Sequence, residues 1–328
     1  MKLFNYKSSW LLLFFIFPVI MMTNFSCGKD KFSGPAENWT YLTAKNGLVS
    51  NYVNCIAIDP SGAVWVGTEF GVSRYIDGTW SSYNTPQGLL YHQVNSIAVQ
   101  ETNKIWFATP YGASFFDNGQ WKSYDVENSG ISYNYVYDIA LDANNNPWFA
   151  TGKGVSLLKG NNWTIYQKEE GNALVYNIVR TLAIDRNNKK WFGTEFGISG
   201  FDNNVWTTYL AENVLADFVV NIFVDSKNRL WVGTLAGVSM FAGDGFVDYS
   251  TSNGLIFNRV DAIGEDLDGT LWFGTPYGVS SFDGSNWKSY TTINGLPDNW
   301  ITGIVVDQEG KIWFSTKTKG LAYLQISD

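Results

Sequence analysis

The sequence predicts an all-β protein, a seven-bladed β-propeller of four-stranded antiparallel blades whose last blade is closed by the N-terminal strand. A four-residue motif, Trp-(Phe/Val)-(Gly/Ala/Ser)-Thr, recurs seven times at intervals of 40 to 43 residues, beginning at Trp65, Trp106, Trp148, Trp191, Trp231, Trp272 and Trp313. Short β-branched and aromatic segments flank each motif, and Gly, Asp and Pro separate them. Such a period indicates units that bury their apolar faces only by stacking on neighbours.

The first complete repeat shows how four strands fit into one period. Strands are expected over Val53–Ile58, 63–68, 72–76 and 80–84. The first turn is Asp-Pro-Ser-Gly at residues 59–62, and the second is Glu-Phe-Gly at 69–71, both with the residues that tight turns require. The segments between turns are too short for helices and favour strands.

The outer strand of each blade indicates how the ring closes. An aromatic-x-x-Tyr pattern follows six of the seven Trp motifs, ending at Tyr83, Tyr124, Tyr166, Tyr209, Tyr249 and Tyr290. The seventh repeat lacks it, whereas Trp39 precedes Trp65 by the same 26 residues that separate Trp80 from Trp106. Residues 38–43 are therefore expected to complete the last blade and to remove the exposed edges of an open sheet.

The recurring apolar residues are interpreted as core. The motif tryptophans and those of the outer strands are expected to pack between neighbouring blades. An equivalent apolar residue starts each innermost strand, at Val53, Val94, Val136, Val179, Val219, Val260 and Ile301. Cys55 lies in the same apolar pattern and is interpreted as a small buried hydrophobic residue.

Composition and charge restrict the class of partner. The chain has 328 residues, 45% of them hydrophobic and only 16% charged, which excludes a disordered protein. Its formal net charge of −8 becomes −10 when residues 1–26, which carry Lys2 and Lys7 and no acid, are removed. Nucleic acid is not expected as a partner, because phosphate binding needs clustered Lys and Arg.

The N-terminus has the pattern of a processing signal. Two lysines precede an apolar run at residues 10–22, and Phe-Ser-Cys follows at 25–27. We expect a lipoprotein-type signal peptide at 1–26, a lipidated Cys27, a linker at 27–37 and the propeller at 38–328. A simple cleaved signal and a retained membrane helix are the alternatives, because Asn24 and Phe25 depart from the usual lipobox.

The repeat also resembles a known family. Residues 263–279 read Ile-x-x-Asp-x-x-Gly-x-Leu-Trp-x-Gly-Thr-x-x-Gly-Val, and Trp287, Tyr290 and the Asn-Gly-Leu at 294–296 follow. This pattern resembles the two-component regulator propeller repeat over residues 38–328. The resemblance implies a periplasmic sensor propeller, of the kind that detects glycan fragments for hybrid histidine kinases. No kinase or receiver domain follows Asp328, so we expect no direct phosphotransfer role.

One face of the predicted ring concentrates the candidate ligand-binding residues. In a four-stranded meander, the loops after the second and fourth strands lie on the same face, so their aromatic residues should surround one opening. The interleaved aromatic and amide side chains suit a polyhydroxylated ligand. The candidate residues are Tyr91, His92, Tyr111, Tyr133, Tyr176, Asp217, Phe257, Tyr277 and Trp300.

Asparagine recurs at one slot of this face and has two interpretations. Five blades carry it, at Asn51, Asn134, Asn177, Asn258 and Asn299. The side chain either contacts a ligand or stabilises the turn that enters the innermost strand. Its recurrence in five blades favours the structural role. His92 and Asp217 break the pattern and are the preferred site candidates.

The opposite face and the catalytic inventory point away from an enzyme. Six blades place Asp in the first turn, which is interpreted as turn stabilisation, since the Asp-Leu-Asp-Gly at 266–269 lacks the remainder of a Ca²⁺ loop. His92 is the only histidine, and no Gly-x-Ser-x-Gly is present. Glu69 and Glu195 fall three blades apart, too far for a glycosidase pair. No catalytic residue, metal or cofactor is predicted.

Three functional hypotheses follow. The preferred one is a non-enzymatic, lipid-anchored envelope propeller that senses or binds a glycan or protein partner, facing the periplasm or the cell surface. The second is a lyase or hydrolase that uses His92. The third is a structural docking subunit of an outer-membrane complex.

Overall fold

The computed structural model describes residues 38–169, 174–210, 215, 218–243 and 245–325. These residues form strands and turns, with two short 3-10 turns at Ala44–Asn46 and Thr85–Gln87. Within them, no helix is long and apolar enough to cross a membrane. The predicted signal peptide, Cys27, the linker and Asp217 lie outside the described residues.

Twenty-eight strands are described. In chain order they are β1 (Asn38–Leu42), β2 (Val53–Ile58), β3 (Val64–Thr68), β4 (Gly71–Ile76), β5 (Thr79–Tyr83), β6 (Ser96–Glu101), β7 (Lys104–Thr109), β8 (Gly112–Asp117), β9 (Gln120–Tyr124), β10 (Val136–Leu141), β11 (Pro147–Thr151), β12 (Gly154–Lys159), β13 (Asn162–Tyr166), β14 (Val179–Ile184), β15 (Lys190–Thr194), β16 (Gly197–Asp202), β17 (Val205–Tyr209), β18 (Val219–Val224), β19 (Leu230–Thr234), β20 (Val238–Phe241), β21 (Phe246–Tyr249), β22 (Ala262–Glu265), β23 (Leu271–Thr275), β24 (Gly278–Phe282), β25 (Trp287–Tyr290), β26 (Ile301–Val306), β27 (Lys311–Thr316) and β28 (Gly320–Gln325).

The strands form seven four-stranded antiparallel sheets, which we number as blades 1 to 7 from β2 onward. Blades 1 to 6 each take four consecutive strands, and blade 7 has the order β1-β28-β27-β26. The innermost strands of neighbouring blades contact one another, including β2 with β26, so the blades form a ring. The predicted seven-bladed propeller is confirmed.

The closing strand lies where the outer-strand pattern placed it. β1 pairs antiparallel with β28, with register from Asn38 opposite Gln325 to Leu42 opposite Leu321. The Trp39 ring lies 5.6 Å from Phe314 and 6.4 Å from Tyr290, measured between ring centroids. A Cβ at Gly295, where φ is +115°, would lie 2.4 Å from the Trp39 ring. Glycine is therefore required there, and blade 7 joins both ends of the described chain.

The motif tryptophans are buried and pack across blade boundaries, as predicted. Trp65 of blade 1, for example, lies in one cluster with Leu89, Val94 and Phe107 of blade 2. All seven residues that precede or begin the inner strands, from Val53 to Ile301, have no exposed surface. The core therefore follows the boundaries between blades, as expected of a repeat fold.

Each motif tryptophan is also tied to the first turn of its own blade by a contact that we name the indole clasp. The indole N–H donates to the carboxylate of the turn aspartate six residues earlier, or to Gln100 in blade 2. The pairs are Trp65–Asp59, Trp106–Gln100, Trp148–Asp142, Trp191–Asp185, Trp231–Asp225, Trp272–Asp266 and Trp313–Asp307, at 2.8 to 3.4 Å. The structural interpretation of these aspartates is confirmed.

The same carboxylates also accept hydrogen bonds from the turn backbone. Asp59 accepts from the amides of Ser61 and Ala63, at 2.8 and 3.3 Å. Burial alone would raise the pKa of Asp59, but these bonds and those from the Ser61 hydroxyl and the Trp65 indole outweigh it and lower the pKa. Asp142 behaves in the same way, with Asn146 as its main donor. The ionised carboxylate is thus part of the fold.

Candidate ligand-binding face

The loops after the second and fourth strands of each blade lie on one face, and every blade exposes at least one large apolar side chain there. We call this set the apolar ring. Its members are 38 to 60% exposed and consist of Phe70, Tyr111, Tyr133, Phe196, Leu235, Tyr277 and Trp300. Among the described turns of the opposite face, only Leu267 exposes a comparable side chain. The two faces of the ring are therefore chemically unlike.

Four of the predicted site residues belong to the apolar ring, namely Tyr111, Tyr133, Tyr277 and Trp300. Tyr91, Tyr176 and Phe257 are half-buried instead. Each stacks on the ring member of its own blade, with centroid distances of 4.5 Å for Tyr91–Tyr111, 4.6 Å for Tyr176–Phe196 and 4.4 Å for Phe257–Tyr277. Each therefore contacts the exposed ring of its own blade at a tilted angle.

His92 is half-buried among aromatic residues. Its ring centroid lies 4.1 Å from Tyr91 and 6.2 Å from Phe70. Among the described residues, the imidazole makes no hydrogen bond to a carboxylate that would orient it. The neighbouring candidate Asp217 lies outside the described residues, so these two residues stay predictions as a site.

The recurring asparagines have a structural duty. Each side-chain oxygen accepts a hydrogen bond from the backbone N–H at the start of the preceding loop, seven to nine residues earlier. The donors to Asn51, Asn134, Asn177, Asn258 and Asn299 are Ala44, Val126, Lys168, Thr251 and Thr292, at 2.5 to 2.9 Å. The structural interpretation of these asparagines is confirmed, although each one holds the start of the loop and not only the turn at its end.

The centre of the face opens into a polar channel that the sequence-based selection of site residues missed. One residue per blade, directly after the buried residue at the start of the inner strand, lines a cavity of about 280 Å³. We call these the mouth residues; they are Asn54, Asn95, Tyr137, Arg180, Val220, Asp261 and Thr302. They are of six different residue types across the seven blades, whereas the residue before them is Val or Ile throughout.

Backbone geometry explains why these side chains reach the channel. In five inner strands the pairing with the second strand shifts by one residue immediately after the buried Val or Ile. The extra residue is the mouth residue in each case. An irregularity of this kind re-aims a side chain, and it is common at functional sites.

Arg180 is held on the mouth by a carboxylate and an aromatic ring. Its Nε donates to Glu195 Oε1 at 3.0 Å, and the guanidinium carbon lies 4.6 Å from the centroid of Tyr137 and 5.6 Å from that of Phe218. Desolvation raises the pKa of the Tyr137 hydroxyl, and the positive charge of Arg180 opposes that rise. Tyr137 therefore stays a neutral donor near pH 7.

A second arginine is fixed in blade 6. Arg259 Nε donates to Asp261 Oδ1 at 2.7 Å, and the Trp300 indole donates to Asp261 Oδ2 at 2.9 Å. Both carboxylate oxygens are thus used. The guanidinium carbon lies 5.5 Å from the centroid of Trp300. Trp300 is therefore positioned by neighbours from a different blade.

The irregular segment 317–319 of blade 7 also reaches the mouth. Lys317 Nζ lies 3.0 Å from Glu69 Oε1 and 3.3 Å from Asn54 Oδ1. Asp298 Oδ2 accepts from the Thr318 amide and hydroxyl, at 3.1 and 2.7 Å. Glu69 and Glu195, which the sequence placed in separate loops, each pair with a different cation.

Deeper in the channel, Asp138 joins three blades. It accepts hydrogen bonds from the Ser96 hydroxyl of blade 2 at 2.6 Å, and from the Thr181 hydroxyl and the Leu182 amide of blade 4 at 3.1 and 2.9 Å. Desolvation raises the pKa of this carboxyl in spite of these donors. Cys55 lies nearby, and burial raises the pKa of its thiol far above the usual value. An unreactive thiol results.

The described residues contain no group of three or more His, Cys, Asp and Glu side chains that could hold a metal ion. The carboxylates of Glu69, Glu195 and Asp261 each pair with a Lys or Arg side chain instead. What the arrangement offers a ligand is therefore flat apolar surface, amide and hydroxyl groups, and fixed guanidinium groups.

Comparison with known proteins identifies the repeat. The family model described as "Two component regulator propeller" matches residues 47–70, 213–236 and 295–318. Each match covers the inner strand and the second strand of one blade, in blades 1, 5 and 7. No curated protein matches the sequence.

Several solved structures share the fold at low identity. The extracellular domain of the putative hybrid two component system BT3049 from B. thetaiotaomicron superposes with a TM-score of 0.77 at 20% identity, over 89% of this chain and 42% of that chain. A catalytically inactive virginiamycin B lyase from Staphylococcus aureus, solved with quinupristin, gives 0.72 at 17% identity, over 89% of this chain and all of the other.

A third similar structure is PorZ of Porphyromonas gingivalis, a surface component of the type-IX secretion system, with a TM-score of 0.70 at 16% identity, over 87% of this chain and 48% of that chain. The present chain thus spans less than half of the PorZ chain and of the BT3049 extracellular domain. At these identities, the three likenesses show a shared fold. Three segments of the chain thus match the two-component regulator propeller repeat, and the described residues fold as a seven-bladed β-propeller.

Proposed function

We propose that this protein is a non-catalytic, sensing-type propeller that binds a glycan at the cell envelope through the face that carries the apolar ring. The observation that carries the proposal is the contrast between the two faces. Every blade exposes a large apolar side chain on one face, and on the other the turn carboxylates are used in the indole clasps. Exposed apolar groups around a polar opening are typical of a binding surface.

The chemistry of the face supports a glycan. Tyr111, Tyr277 and Trp300 present ring faces on which the C–H faces of a sugar stack, and the mouth supplies amide, hydroxyl and guanidinium groups for its hydroxyls. Because the stacks in blades 2, 4 and 6 and the ion pairs fix these groups before binding, little conformational entropy is lost on binding.

The surroundings of His92 favour binding over catalysis. A catalytic histidine is normally oriented by a third group, and His92 instead packs against Tyr91 and Phe70. A protein partner docked on the apolar ring is the competing proposal, because the same ring offers an apolar interface. The experiment below separates these outcomes.

An envelope location is part of the proposal. The signal-like N-terminus and the lipidation predicted at Cys27 would place the propeller at the membrane, facing the periplasm or the cell surface. The sensor-domain neighbour, an extracellular domain, supports the same compartment. No cofactor is part of the proposal.

The test is a calorimetric titration of the full chain, in mild detergent, with a panel of neutral and acidic oligosaccharides. We expect at least one to bind, and Tyr277→Ala to weaken that binding about tenfold, the effect on the order of 1–3 kcal/mol that loss of an aromatic stacking surface has in other ligand sites. Tyr277 is 60% exposed, so the variant should fold normally.

Leu267→Ala is the matched control. It removes an apolar side chain that is 70% exposed on the opposite face, and it should leave the affinity unchanged. Equal weakening by both variants would show that the oligosaccharide does not bind through the apolar ring. No binding by any oligosaccharide, together with co-purification of a protein partner, would remove glycan recognition in favour of docking.

A further inference from the structure

Two arginines of the mouth region line a single cavity of about 430 Å³. Arg180 comes from blade 4 and Arg259 from blade 6, and blade 5 lies between them. Phe218, Val220 and Leu235 of blade 5 form the apolar part of the lining. The cavity is thus a slot with an apolar wall and a guanidinium on each side.

Both guanidinium groups are fixed on their Nε side. Arg259 Nε donates to Asp261 and Arg180 Nε donates to Glu195, at 2.7 and 3.0 Å. Among the described residues, the two terminal nitrogens of Arg259 have no protein partner. Arg180 also uses one terminal nitrogen on Glu195, which leaves the other without a partner there. Planar N–H donors therefore stay available at the cavity.

The arginines are more exposed than the acids that hold them. The side chain of Arg259 is 41% exposed and that of Asp261 is 10%, and Arg180 and Glu195 are 33% and 19% exposed. Each ion pair consequently presents its cationic member to the cavity and keeps its anionic member behind. Stacking on Trp300 and on Tyr137 further restricts the guanidinium groups.

We propose that this slot is an anion subsite, which accepts a carboxylate or a phosphate ester on a sugar while the sugar ring lies against Phe218 and Leu235. The inference rests on the proposed glycan binding and specifies an acidic sugar as part of the ligand. Two guanidinium groups in fixed positions match planar or tetrahedral anionic oxygens and reject a neutral hydroxymethyl group, which leaves donors unpaired.

Three probes that differ only at C6 of the sugar test the subsite: methyl glucoside, methyl glucuronide and methyl glucoside 6-phosphate. Each is titrated into the full chain while the arginine Nε–Hε signals are followed by NMR. We expect at least one anionic probe to bind ten times more tightly than the neutral one and to shift the Arg180 and Arg259 signals. Preference between carboxylate and phosphate identifies the anion. Added salt should weaken only the anionic probes.

Variants locate the effect. Arg259→Gln should abolish the preference for the anionic probe. Arg259→Lys keeps the positive charge but lacks the planar pair of guanidinium donors, and it should retain part of the preference. Arg186→Gln, an equal change of charge at an exposed residue of the opposite-face turns, is the control and should change nothing. Melting curves establish that each variant is folded.

Two results overturn the subsite. One is equal affinity for the neutral and anionic probes. The other is an anion preference that survives Arg259→Gln and Arg180→Gln. If oligosaccharides still bind in a Tyr277-dependent manner in either case, the proposed function stands without the anion subsite. If no oligosaccharide binds, both the subsite and the proposed function fail.

Discussion

Asp225→Ala is expected to lower the free energy of unfolding by about 3–5 kcal/mol, the range found when one partner of a buried charged pair is removed. Asp225 is 2% exposed and accepts from the Trp231 indole at 2.8 Å and from the Arg229 Nε at 2.6 Å. It also accepts from the amides of Lys227 and Arg229, at 3.0 and 2.8 Å. Alanine leaves all four donors without this acceptor, in a turn that they define.

Urea denaturation followed by tryptophan fluorescence measures the effect. Asp268→Ala is the matched control, because it removes an exposed acid from a turn of the same face, and it should cost less than about 0.5 kcal/mol. If Asp225→Ala and Asp268→Ala lower the free energy of unfolding by the same small amount, the indole clasp does not contribute to the stability of the fold.

Trp39→Ala should be the second large change, lowering the free energy of unfolding by about 3 kcal/mol because it removes a large aromatic side chain from the core. Trp39 packs between Tyr290 and Phe314 at the boundary of blades 6 and 7. Its strand covers the edge of β28, and a loosened β1 exposes unpaired backbone groups that promote association between molecules.

Denaturation and light scattering at rising protein concentration check this prediction together. Ile293→Ala is the control, since Ile293 is 93% exposed and its truncation should change neither measurement. A Trp39→Ala protein with unaltered stability and no tendency to associate would show that the ring closes without help from the N-terminal strand.

The architecture could be predicted because each blade contains the same short sequence patterns at the same spacing. The Trp motif, the buried Val or Ile before each mouth residue and the turn glycines hold equivalent positions in every blade, so chance agreement is small. Closure by residues 38–43 followed from a single offset, that of Trp39 from Trp65. Only one part of the indole clasp was predicted. The sequence assigned Asp266 to the stabilisation of its turn, but it did not predict the hydrogen bond from the Trp272 indole to that carboxylate.

The face was predicted better than the site. Loop residues such as Tyr111 and Tyr277 could be assigned to one face from meander topology, and they are exposed there. Tyr91 and Phe257 were predicted as ligand-binding residues on the same grounds. Whether such a ring is exposed or is covered by its neighbour depends on backbone angles, which sequence spacing does not encode. Both rings turn out to be half-buried, in contact with the exposed ring of their own blade.

The mouth residues were missed for two physical reasons. A one-residue irregularity in the inner strand reverses the expected alternation and sends Arg180 into the channel. The ion pair of Arg180 with Glu195 joins the inner strand of blade 4 to the loop after its second strand, and the contact of Trp300 with Asp261 joins two blades. Variability at one position beside the constant Val was the signal that could have found them, because binding residues seldom repeat.

The central claim is that the ligand binds the face that carries the apolar ring. Hydrogen exchange of the full chain, with and without an oligosaccharide that binds in the calorimetric panel, tests it most directly. The account predicts slower exchange in the loops of that face, at residues 69–71, 110–112, 195–197 and 276–278, and unchanged exchange in the opposite turns at 59–62, 225–228 and 266–269. Protection confined to those opposite turns would contradict it.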